Sequence, residues 1–65
     1  MPFIQVTMIE GRTVEQKHEL IRQLSAAAAD ALSTPIERVR VAIYEVNPDE
    51  WGIGGEPVSK VRPSA

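Results

Sequence analysis

Cysteine is absent from these 65 residues, which excludes a disulfide framework and any thiolate metal site. Histidine is almost absent: His18 stands alone, too few ligands for a histidine-based zinc site. A basic excess is missing too. Seven Lys and Arg face nine Asp and Glu, for a formal net charge of −2, so the clustered positive surface that a nucleic-acid partner requires is not expected. No apolar run approaches the roughly 20 residues of a membrane span. No basic stretch precedes an apolar one at the N-terminus, as it would in a signal peptide. A cytoplasmic protein with neither membrane nor nucleic acid as partner is the expectation.

Size sets the next constraint. The chain allows one thin domain, and a domain this small buries only about 60% of the surface its unfolded chain exposes. With disulfides and metals removed, oligomerisation is the remaining staple.

Phe3 to Ile9 alternates, with Ile4, Val6 and Met8 on one face and Phe3, Gln5, Thr7 and Ile9 on the other, which predicts a strand. Glu10-Gly11-Arg12 is a short connection. Thr13-Val14-Glu15-Gln16 fits a capping box, opening a helix over Val14 to Leu32. Leu20, Ile21, Leu24, Ala28, Ala31 and Leu32 form its apolar stripe. Ser33-Thr34-Pro35 stops it, and Thr34 is placed to cap one extra turn with Pro35 at its first position. Val39 to Val46 reads as a second strand, with Arg40, Ala42, Tyr44 and Val46 on one face. Asn47-Pro48-Asp49 breaks it. Trp51 to Val58, rich in glycine, reads as a turn with short strand-like flanks.

Strand, helix and strand in this order imply a βαβ crossover with parallel strands. One helix covers one sheet face, whereas parallel sheets occur almost only with both faces covered. The bare face carries Phe3, Ile9, Ala42, Tyr44 and Val46, so burial against another copy is expected.

Few residues offer chemistry. His18 lies on the polar side of the helix beside Lys17, and no serine has a histidine at a suggestive spacing. Glu19 is spaced to pair with Arg22. Gly52, Gly54 and Gly55 resemble a phosphate cradle only superficially, because Pro57 and the short tail leave little room for the helix that such a loop opens. Pro2, Arg12, Arg40 and Trp51 remain. Each has a bland reading: strand-start proline, loop charge, surface ion pair and core plug. Parallel pairing, however, brings Pro2 and Arg40 to the same sheet edge. Removal of Met1 would leave Pro2 with a free secondary amine, and a free α-amine titrates at about 7.7–8.0 in the absence of perturbation. Apolar surroundings and arginine cations both disfavour its protonated form, toward the range where a general base works best. Arginine binds carboxylates bidentately and stabilises a developing oxyanion, and Trp51 is placed to exclude water.

The same residues carry a family likeness. Pro2, the stretch Ile9-Glu10-Gly11-Arg12-Thr13 followed by Glu15-Gln16-Lys17, Val39-Arg40-Val41 and Trp51-Gly52-Ile53-Gly54-Gly55-Glu56 together resemble the 4-oxalocrotonate tautomerase family, the short-chain branch of the tautomerase superfamily. The resemblance covers nearly the whole chain. It implies an α+β fold, a single β-α-β unit of the tautomerase or MIF-like kind over residues 2–65, with parallel strands, a short C-terminal hairpin and a sheet completed by oligomerisation. A homohexamer built as a trimer of dimers is the implied assembly.

The resemblance also implies a cofactor-free isomerase that converts 2-hydroxymuconate-type dienols to conjugated 2-oxo acids. Pro2 would be the general base once Met1 is removed. Arg40 would bind and polarise the 2-oxo acid end of an unsaturated dicarboxylate, and Arg12 the far carboxylate. Trp51, standing where the family usually has phenylalanine, and Ile9 would line the pocket, with the site assembled from more than one subunit. Ile53 occupies the position where haloacrylate dehalogenases of the superfamily place a water-activating glutamate, which argues against hydration. Two rivals stand beside this expectation: a non-catalytic assembly subunit of a hetero-oligomer, and a tautomerase serving biosynthesis rather than catabolism of aromatic compounds.

Overall fold

Backbone hydrogen bonding at both ends of a long helix sets the frame. The computed structural model describes residues 2–61; the expected loss of Met1 and the last four residues of the expected domain lie outside them. Strand β1 (Phe3–Ile9) leads through Gly11, at φ 133°, into helix α1 (Val14–Leu32). The capping box is complete: the Gln16 N–H donates to Thr13 Oγ1 at 3.1 Å, and the Thr13 N–H donates to Gln16 Oε1 at 3.0 Å. These bonds satisfy amide groups that a helix start leaves without partners. At the other end Ser33 takes a left-handed conformation, and the Thr34 N–H donates to the Ala29 carbonyl at 3.0 Å.

Strand β2 (Arg40–Val46) pairs with β1 in parallel, in a register running from Phe3 opposite Arg40 to Ile9 opposite Val46. The expected strand start at Val39 is one residue too early. Ile36 to Arg38 form a 3-10 turn, which Val39 closes by donating its N–H to the Ile36 carbonyl at 3.0 Å. Pro35, extended at ψ 140°, precedes that turn instead of entering it, and no side chain caps it. Past β2, Pro48 to Glu50 make a second 3-10 turn. Strands β3 (Gly52–Ile53) and β4 (Glu56–Pro57) form an antiparallel hairpin. Its two loop residues, Gly54 and Gly55, lie at φ 61° and 89°, the positive values that tight hairpin loops demand. A single-turn helix α2 (Val58–Val61) follows, where no helix was expected. It begins after β4, so the glycines form a hairpin loop and do not open a helix.

The chain buries little on its own. Only Val39 and Val58, among the described residues, fall to 8% and 1% exposure. Ile4, Val6, Met8, Val41 and Ile43 are half-buried on the helix side of the sheet, as are Leu20, Ile21, Leu24 and Ala28 of the stripe, while Ala31 and Leu32 at its end are exposed. Lys17 on α1 bridges to Glu45 on β2 at 2.9 Å. The opposite sheet face is open, with Phe3 63% and Tyr44 50% exposed. A slab of 43 × 24 × 14 Å, with a radius of gyration of 14.8 Å, is well above the roughly 11 Å of a compact chain this long. No helix among the described residues is long and apolar enough to cross a membrane.

Candidate active site

The proline-initiated strand and the arginine-initiated strand meet at one end of the sheet. The Arg40 N–H donates to the Pro2 carbonyl at 3.1 Å, one rung before the Phe3–Arg40 pair. Pro2 is half-buried there and Arg40 is exposed. Arg40 Nη1 donates to the carbonyls of Glu37 at 2.7 Å and Val39 at 3.5 Å. These contacts hold the guanidinium against the preceding 3-10 turn. A guanidinium has five donors in a fork, so the remaining N–H groups are available to an acid.

The other candidates gather at the opposite end. Ile9, Arg12 and Trp51 line one cleft of about 570 Å³, together with Thr7, Met8, Glu10 and Gly11. Arg12 is exposed and makes no ion pair or side-chain hydrogen bond among the described residues. It also borders a smaller hollow of about 240 Å³ with Met8, Gln16, Lys17 and Leu20. There Lys17 is committed to Glu45, which leaves Arg12 as the unpaired cation. His18 is exposed on α1, and Glu19 accepts from Arg22 at 2.6 Å and from Gln23 at 2.7 Å, so both belong to a solvated face.

The single chain therefore splits the set in two. Pro2 and Arg40 stand together, and Ile9, Arg12 and Trp51 stand together, with the length of β1 between them. Seven residues at about 3.3 Å each put these groups about 23 Å apart. The open sheet face lies between the two groups.

Sequence reasoning missed the residues that hold Trp51. The Asn47 side chain accepts from the Asp49 N–H at 2.8 Å, the Val58 N–H donates to the Trp51 carbonyl at 2.7 Å, and Ser59 Oγ donates to Asp49 Oδ1 at 2.5 Å. Asn47 before Pro48 is a readable cap signal; the link from Ser59 to Asp49 has no local signature. No cluster of three or more His, Cys, Asp or Glu capable of holding a metal ion occurs among the described residues.

Three comparisons bear on what this arrangement does. The family model described as a tautomerase enzyme matches residues 2–61. The 2-hydroxymuconate tautomerase of Pseudomonas sp. (strain CF600) is 60% identical over 62 residues, spanning 95% of this chain and 98% of its own. A second 2-hydroxymuconate tautomerase, from Pseudomonas putida, is 52% identical over 94% of this chain and 97% of its own. Among solved structures, TomN, a 4-oxalocrotonate tautomerase homologue in the tomaymycin biosynthetic pathway, superposes with a TM-score of 0.92 at 43% identity and 97% coverage of both chains. A heterohexamer 4-oxalocrotonate tautomerase from Chloroflexus aurantiacus superposes at 0.90 with 48% identity, covering 95% of this chain and 100% of its own.

Proposed function

The chain belongs to the tautomerase family and is a tautomerase, an isomerase; from that premise we propose that it converts 2-hydroxymuconate-type dienols to conjugated 2-oxo acids without a cofactor. Pro2 is the general base in this reading. With Met1 removed, its secondary amine takes the proton from the dienol hydroxyl and returns it to a distant carbon, so the reaction shifts a double bond and leaves composition unchanged. Arg40 binds the 2-oxo acid end and stabilises the negative charge that develops on its oxygen. Arg12 binds the far carboxylate, while Trp51 and Ile9 wall the pocket and keep water out.

The observation that carries this reading is the split itself. A small unsaturated diacid is far shorter than β1, so it cannot touch both groups in one chain. Two copies whose strands run in opposite directions place the Pro2 end of one beside the Arg12 and Trp51 end of the other. The same association covers the open face bearing Phe3 and Tyr44. We assign the assembly as a homohexamer, a trimer of dimers, with sites drawing on more than one subunit. The setting that fits this substrate class is cytoplasmic catabolism of aromatic compounds.

Pro2→Ala, with Met1 removal verified by intact mass, tests the rigid secondary amine, which the variant exchanges for a primary one. A general base contributes roughly a hundredfold or more, so replacing it by a less rigid primary amine should sharply reduce ketonisation of 2-hydroxymuconate, by up to that factor, while the oligomer persists. Full activity in the variant would rule out the amine mechanism, and a wild-type protein that retains Met1, and so has an amide nitrogen at Pro2, would favour the non-catalytic assembly reading.

A further inference from the structure

We propose that Asp49 and Ser59 are positioning residues that set the Trp51 indole in the substrate cleft and thereby set which acids fit. This rests on the reading of that cleft as part of the substrate pocket. Trp51 lies inside a loop closed from both sides. Upstream, the Asn47 side chain and carbonyl accept from the Asp49 and Glu50 N–H groups, each at 2.8 Å, and lock the 3-10 turn. Downstream, the β3–β4 hairpin returns the chain so that the Val58 N–H reaches the Trp51 carbonyl at 2.7 Å.

Val58, at 1% exposure the most buried described residue, anchors this return. The next residue, Ser59, donates its hydroxyl to Asp49 across ten positions. A hydroxyl donating to a carboxylate is stronger than a neutral pair, and closing a loop of this length removes backbone freedom that only a tie can remove. Remove the tie and the turn and the hairpin still form, but the residue between them is held by its carbonyl alone. Asp49 and Ser59 do not line the cleft, so their effect on substrate must pass through Trp51.

Trp51 is the sole tryptophan, which makes its intrinsic fluorescence a direct report on its surroundings. In the assembled protein, Ser59→Ala should shift the emission to longer wavelength and raise KM for 2-hydroxymuconate roughly fivefold, with kcat within about twofold. Ser59→Thr keeps the hydroxyl and should restore both. Wild-type emission and KM in Ser59→Ala, alongside a raised KM in Trp51→Ala, would overturn the positioning role alone. An unchanged KM in Trp51→Ala would overturn the cleft reading and this proposal with it. Failure of Ser59→Thr to recover either property would also overturn the proposal.

Discussion

Arg12→Ala should separate dicarboxylates from monocarboxylates. Arg12 lines the 570 Å³ cleft, is exposed, and has no ion-pair partner among the described residues, so the substitution leaves no buried acid uncompensated. What it removes, in the proposed reading, is a charge-assisted contact to a substrate carboxylate. Such contacts are worth about 1.5–3 kcal/mol, and the open position favours the lower part of that range. At about 1.4 kcal/mol per factor of ten, the expected loss is about tenfold to thirtyfold in kcat/KM for 2-hydroxymuconate. In the proposed reading Arg12 contacts the far carboxylate equally in ground and transition states, so the loss should fall on KM. Phenylenolpyruvate has no second carboxylate and should lose less than about threefold. Ultraviolet absorbance follows ketonisation of both substrates. Equal losses on the two, or a loss confined to kcat, would refute the role given to Arg12.

Two further outcomes follow from the same geometry. Phe3→Asp puts a charge on the open sheet face, where Phe3 is 63% exposed in the single chain; burying an unpaired carboxylate is far costlier than burying a ring, so light scattering should show smaller species than wild type, and a mass equal to wild type would contradict burial of that face. Val58→Ala removes two methyl groups from the most buried site, at about 2–3 kcal/mol with the cavity included; urea unfolding should show that loss, and a change below about 0.5 kcal/mol would mean Val58 is no anchor.

Local signals made much of the fold legible. The capping box at Thr13 and the Ser33-Thr34-Pro35 stop place α1 at Val14–Leu32, as alternation places β1 at Phe3–Ile9. Gly54 and Gly55 show the positive φ that the hairpin needed. Val39 was misread because its hydrophobicity serves burial beside the 3-10 turn as well as it serves a strand. The α2 turn follows a proline and is too short to leave a periodic pattern. For the candidate site, parallel pairing foretold that Pro2 and Arg40 would be neighbours. The separation of that pair from Arg12 and Trp51 follows from the length of β1, which begins after Pro2 and ends before Arg12. The Asp49–Ser59 bond joins residues ten positions apart, a tertiary contact beyond the reach of propensity or spacing.

Mixing two disabled variants tests the shared site most directly. Pro2→Ala and Arg12→Ala subunits, unfolded together in equal amounts and refolded into mixed assemblies, each carry the residue the other lacks. If a site takes Pro2 from one chain and Arg12 from another, about a quarter of the sites regain both by random assortment, and with 2-hydroxymuconate well below the wild-type KM, where both parents are slow, ketonisation should return to about a quarter of the wild-type rate. Mixed assemblies, verified by mass, with no more activity than the average of the two parents would contradict a site built across subunits.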